Sequence, residues 1–130
     1  MTSTTLAKLR ARGLRLRNPA EGSLIERAER ELAGFSDELK CLYLMFDGFE
    51  DRDTDSSNQL SIWRLSQVLD RRNLSDSIDG GRVVFGEFLI ESDFIAFTPM
   101  IGVRFFEDGR LLAGSIDEFL ASWVSGQFDF

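Results

Sequence analysis

The sequence contains no histidine, and imidazole is both the commonest general base near neutral pH and the commonest ligand for protein-bound metals. Ser-His-Asp and Cys-His catalysis within this chain are therefore excluded. The single cysteine, Cys41, leaves no intrachain disulfide and no Cys-based zinc site, which excludes a disulfide-stapled secreted scaffold and fits a reducing compartment. Apolar runs are short and broken by charge, well under the roughly 18 residues that a membrane-spanning helix needs. The expectation is a soluble, cytoplasmic protein. Only 2 prolines and 11 glycines occur among 130 residues, which excludes collagen-like, mucin-like and low-complexity architectures.

What is present is the balance of an ordinary globular chain, 43% hydrophobic and 28% charged, of a length that suits one domain around one core. Charge is uneven. Residues 1–40 carry eight basic and six acidic side chains, residues 41–130 seven and sixteen, and the formal net charge is −7. An acidic body repels phosphate backbones and attracts cationic surfaces, so direct nucleic-acid binding is disfavoured and a basic protein partner favoured. The same charge also keeps the domain soluble. The first 17 residues hold Lys8, Arg10, Arg12, Arg15 and Arg17 and no acid. That composition superficially resembles an organelle transit peptide, and the preferred reading is a basic N-terminal helix or arm of a cytosolic domain.

Helices come first. Ser23 followed by Glu26 reads as a capping box opening a helix that carries Leu24, Ile25, Ala28 and Leu32 and stops near Gly34. Ser36-Asp37 opens a second, in which Leu39, Leu42, Tyr43 and Phe46 recur at helical spacing and Gly48 supplies the stop. Cys41, Leu44 and Met45 add apolar surface on other sides, so this helix is expected to be buried on more than one face, with Cys41 in the core rather than acting as a nucleophile.

Strands follow over Leu60–Arg64, Val83–Phe88 and Asp93–Phe97, with a brief helix around Ser66–Arg71 and a turn at Gly80-Gly81. In Ile101–Phe106, Ile101, Val103 and Phe105 alternate with Gly102 and Arg104, and Asp108-Gly109 turns the chain into a return strand over Arg110–Ala113. Ser115 and Glu118 form a further capping box, opening a helix with Ile116, Phe119, Leu120 and Trp123 on one side. Trp63, in a strand, and Trp123 both read as core. The segregated pattern predicts an α+β domain: a mostly antiparallel sheet of about five or six strands packed with N-terminal helices and a C-terminal helix.

The acidic stretch Glu50–Asn58 reads as an exposed loop. Its Asp51, Asp53 and Asp55 spacing suggests a calcium loop, but that motif needs glycine at its sixth position and glutamate at its twelfth, where this chain has Ser56 and Ile62. No metal is expected there. Glu87, Glu91 and Asp93 are close enough in sequence to suggest paired acid-base carboxylates, yet nothing supplies a nucleophile, an oxyanion hole or a phosphate-cradling glycine pattern. The sequence therefore predicts neither catalytic residues nor a cofactor.

The order of these pieces resembles the SUKH superfamily of cell-wall-assembly regulators and bacterial immunity proteins. The resemblance is carried by Ala28-Glu29 and Leu32, then Asp37-Glu38-Leu39-Lys40 with Leu42-Tyr43, and the Asp47-Gly48 stop. Leu60-Ser61-Ile62-Trp63-Arg64-Leu65, Val84-Phe85-Gly86 and Asp93-Phe94-Ile95-Ala96 continue it, and Asp108-Gly109, Ala113, Ser115 and Asp117-Glu118-Phe119-Leu120 close it. It spans roughly residues 16 to 124. Leu32-Ala33, Phe35-Ser36 and Asp47-Gly48 stand where the family usually has Leu-Gly, Leu-Pro and Asn-Gly.

The resemblance implies a non-enzymatic binding domain, an immunity protein neutralising a cognate bacterial toxin or a regulatory adaptor of the same superfamily without one. Toxins that act on nucleic acid are commonly basic, and an acidic inhibitor is steered onto such a partner. The carboxylates proposed to meet it, chosen on charge and expected exposure, are Asp51, Asp53, Asp55, Glu87, Glu91 and Asp93. The competing reading for each, taken singly, is a solvated surface carboxylate.

Overall fold

Six strands follow one another across one antiparallel sheet in chain order: β1 (Phe49–Glu50), β2 (Leu60–Ile62), β3 (Val83–Phe88), β4 (Asp93–Thr98), β5 (Gly102–Phe105) and β6 (Leu111–Ala113). The computed structural model describes residues 1–51, 59–89 and 93–127. Among these are five α-helices, α1 (Ser3–Ala11), α2 (Gly22–Glu31), α3 (Asp37–Met45), α4 (Leu65–Asp70) and α5 (Ile116–Val124). Helical and strand patterns segregate along the chain, and the fold they make is the expected α+β architecture. No helix among the described residues is long and apolar enough to cross a membrane.

Pairing register explains which side chains form the core. Residues paired across antiparallel strands share a face, so Phe49, Ile62, Gly86, Ile95 and Phe105 form one continuous row across β1 to β5. This inner face is sealed by α5, whose Phe119 meets Phe88 and whose Trp123 stacks on Phe49 at 5.6 Å between ring centres. Gly86 is needed in that row: a Cβ there would lie 2.5 Å from the Ser61 carbonyl oxygen and 3.3 Å from the Cδ1 atoms of Ile62 and Ile95, which close over it.

The Ser115 cap at α5 forms as its sequence dictates, with the return bond of the box shifted one residue upstream. The Glu118 N–H donates to Ser115 Oγ at 3.1 Å, while Glu118 Oε2 accepts from the Gly114 N–H at 3.2 Å. Ile116, Phe119, Leu120 and Trp123 are all buried. The Asp108-Gly109 hairpin also forms, with Gly109 in the left-handed region at φ +72° and its N–H donating to the Phe105 carbonyl.

The basic N-terminal segment is a helix packed into the body. Leu9 is fully buried, the Thr2 N–H donates to Asp117 Oδ1 at 2.7 Å at the start of α5, and the Arg12 guanidinium stacks on Trp123 at the other end. For Asp117 the largest single influence, burial, disfavours ionisation, but the Thr2 and Thr5 hydrogen bonds together with the positive charge of the N-terminus outweigh it and hold the carboxyl below its usual range. A group whose pKa is depressed by folding contributes stability above its unfolded pKa, near 4, and that contribution disappears as pH falls through the folded value. Amides of α1 are therefore expected to exchange faster at pH 3 than at pH 6 after correction for intrinsic rates. Asp117→Asn should reduce that difference.

Two helix readings are corrected. α2 begins at Gly22 with Glu21 at its N-cap and no side-chain cap, so the Ser23–Glu26 box does not form. A tertiary tie sets the entry instead: Ala20 is buried and its N–H donates to the Tyr43 carbonyl at 2.9 Å. In α3 the stripe Leu39, Leu42, Tyr43 is buried, but Cys41 is exposed and Leu44 is 52% exposed. One stripe at helical spacing is enough to dock a helix: Met45, half-buried, also packs against the core, while Cys41 and Leu44 stay in water. Cys41 should accordingly react fully with a chromogenic disulfide reagent without denaturant. Labelling only after unfolding would contradict its placement.

The Asp47-Gly48 stop does more than end α3. Asp47 Oδ1 accepts from the Leu65 N–H at 2.7 Å, capping α4 from a distance, and the Tyr43 hydroxyl donates to the Trp63 carbonyl at 2.7 Å. Burial first, and the Asp47 charge second, push the Tyr43 phenol well above its usual pKa, so it remains a donor. Together these bonds fix the exit of β2 and hence the orientation of Trp63.

Candidate functional site

The opposite face of the sheet is where alternation places the remaining side chains. Register aligns Glu50, Ser61, Glu87 and Phe94 across β1 to β4, and the Phe106 N–H, donating to the Phe94 carbonyl at 2.9 Å, extends the row to the end of β5. All five residues are half-buried. An antiparallel sheet with one packed and one partly solvated face has this character.

Aromatic rings run along this outer face. Trp63 meets Phe94 edge-on at 5.6 Å, and Phe94 meets Phe106 edge-on at 6.5 Å. Guanidinium groups stand over the two end rings, Arg71 over Trp63 and Arg82 over Phe106, each 4.7 Å from the ring centre. The Trp63 indole N–H, though the residue is buried, points to Glu87 Oε1 at 3.4 Å. Next to this strip the outer face closes. Val84, Ala96 and Thr98 are buried; the Val84 N–H donates to Ser75 Oγ, Arg82 pairs with Asp76, and Arg104 donates to Thr98 Oγ1 at 3.2 Å. The face opens again at its far edge, where Leu111, paired with Arg104, is 56% exposed; on the other side of the closed part the accessible stretch is the strip from Glu50 to Phe106.

Of the three selected carboxylates that lie among the described residues, Asp51, Glu87 and Asp93, only Glu87 is found on this strip. Asp51 is a correction. One residue beyond Glu50, it turns to the inner side, where its side chain is 5% exposed and accepts from Arg12 at 3.0 Å. The exposed-loop reading of Glu50–Asn58 is corrected at its start, since Glu50 belongs to β1 and the Asp51 N–H pairs with the Leu60 carbonyl. Asp93 is half-buried at the start of β4 and pairs in register with Phe88, on the face opposite Glu87. The two are near in sequence and on different sides of the sheet, so they do not form an acid-base pair. Asp53, Asp55 and Glu91 lie outside the described residues. Among the described residues no group of three or more His, Cys, Asp or Glu side chains could hold a metal ion.

The sequence reading missed Ser61, Glu50, Phe94 and Phe106 as members of one surface. A signal existed for part of it: pairing Phe88 with Asp93 across the β3–β4 connection puts Glu87 opposite Phe94. A separate surface groove of about 400 Å³ lies between Arg17, Glu21, Asp47 and Arg64, and its Asp47 is engaged in capping α4.

No family model matches the chain, and no curated protein does either.

Proposed function

We propose that the chain is a non-enzymatic protein-binding domain of the SUKH type, acting in the cytoplasm as an immunity protein that binds and neutralises a basic toxin, with nuclease the activity its acidity suits best. The observation that carries this reading is the open strip of the outer face, where Glu87 and Phe94 face each other across β3 and β4 beside Glu50 and Phe106. Half-exposed aromatics beside carboxylates combine the two ingredients of a binding surface. Rings provide apolar contact that dominates affinity, and charges steer the encounter and select a partner of opposite sign. The net charge of −7 extends that steering over the whole surface. A cationic groove built for phosphates would be covered competitively by such a face.

The test uses the tagged chain and its Glu87→Lys variant as parallel baits in lysate of the source cells, with bound proteins identified by mass spectrometry and co-expressed with each bait. The reading predicts a stoichiometric basic partner that wild type captures, less so at high salt, and whose toxicity wild type suppresses while Glu87→Lys does not. Equal protection by both baits would overturn the assigned face. Recovery only of cell-wall or signalling proteins would overturn the toxin reading in favour of a regulatory adaptor.

A further inference from the structure

We propose that the outer face carries a seat for one arginine side chain of the protein partner, formed by the Phe94 ring and the Glu87 carboxylate; this inference rests on the protein-binding reading above. The chain itself displays the pattern. Among the described residues four arginines stand over aromatic rings at 4.6 to 4.7 Å: Arg12 on Trp123, Arg71 on Trp63, Arg82 on Phe106 and Arg110 on Phe105. Along the outer ladder Trp63, Phe94, Phe106, both end rings carry a guanidinium, and among the described residues none stands over the middle ring. Phe94 is nevertheless half-buried rather than enclosed, so part of the ring faces solvent.

The residue in register with it completes the seat. Side chains paired directly across antiparallel strands lie with Cβ atoms about 5 Å apart, which places the Glu87 carboxylate beside the Phe94 ring. Glu87 forms no ion pair among the described residues, and its bond from the Trp63 indole is long, 3.4 Å, and uses one oxygen. A cation over Phe94 would thus meet the electron-rich ring and an available carboxylate oxygen together. Arginine fits this pair better than lysine, because a planar guanidinium stacks on a ring while its edge donates to a carboxylate, whereas an ammonium is a more strongly hydrated point charge. Glu50, further along the same row, adds attraction without discriminating between the two cations.

The test compares nona-arginine with nona-lysine, equal in charge, binding to the purified full chain at one ionic strength. The arginine peptide is expected to bind about two- to five-fold more tightly. Phe94→Leu, which keeps apolar bulk, should abolish that preference, and Glu87→Gln, which leaves packing intact, should weaken the arginine peptide more than the lysine peptide. Equal affinities for wild type, or a preference that survives both substitutions, would overturn the seat. If Glu87→Lys still loses the captured partner while the peptides show no preference, the arginine seat fails and the protein-binding reading stands. If the peptide preference holds but Glu87→Lys keeps the partner in full, the assigned face fails instead.

Discussion

Gly48→Ala is expected to lower the unfolding free energy by about 3 kcal/mol or more, from left-handed backbone strain of about 1–2 kcal/mol and a backbone clash that cannot relax. Gly48 sits at φ +78°, and a Cβ there would lie 2.3 Å from the Ile62 carbonyl oxygen and 2.7 Å from that of Trp63. Neither atom can retreat cheaply, because the Tyr43 hydroxyl holds the Trp63 carbonyl and Asp47 holds the Leu65 N–H. Gly13 supplies the control: it has φ +87° and nothing within 4 Å of an added Cβ, so Gly13→Ala carries strain without clash and should cost about 1 kcal/mol. Urea denaturation of both variants measures the difference. Equal losses would mean that the α3–β2 junction yields more easily than its hydrogen bonds indicate.

Asp51→Ala is the second large effect, with an expected loss of about 2 kcal/mol, toward the low side for a broken buried pair because Arg12 retains 24% side-chain exposure. Without the carboxylate, the Arg12 guanidinium remains stacked on Trp123 at 4.6 Å, with its Nε already buried and lacking an acceptor. Removing both charges should be better tolerated than removing one, since the penalty comes from the uncompensated cation. In a double-mutant cycle, Arg12→Leu with Asp51→Leu is therefore expected to be more stable than Asp51→Leu alone. Glu87→Gln should leave stability within about 0.5 kcal/mol. Thermal or urea unfolding of the set separates a carboxylate that holds the fold from one available for binding.

These two carboxylates also mark what the sequence could disclose. Local signals were readable where one segment contains the whole cause: the Ser115 and Glu118 box, the Asp108-Gly109 turn, and the apolar stripe of α5. Asp51 belongs to an acidic run with Asp53 and Asp55 that has the character of a solvated loop, and its partner Arg12 lies 39 residues earlier, in a segment that reads as a helix or an arm. Nothing local links them. Cys41 failed for a different reason, because apolar residues off the main stripe of α3 carry no information about how many sides of a helix are covered. The outer strip is intermediate. Its β3–β4 pair follows from hairpin register, but Glu50 and Phe106 join the row only once the order of all six strands is known.

The two tryptophans provide the most direct test of the claim that the outer sheet face is the binding face. Trp63 points its indole N–H at Glu87 on that face, and Trp123 lies on the inner side beneath Arg12. In an ¹⁵N-labelled sample their indole signals are two resolved reporters, assigned by Trp63→Phe and Trp123→Phe. Adding the captured partner should shift or broaden the Trp63 indole signal and leave that of Trp123 in place. A shift of Trp123 with Trp63 unmoved would assign binding to the helical side and contradict the account.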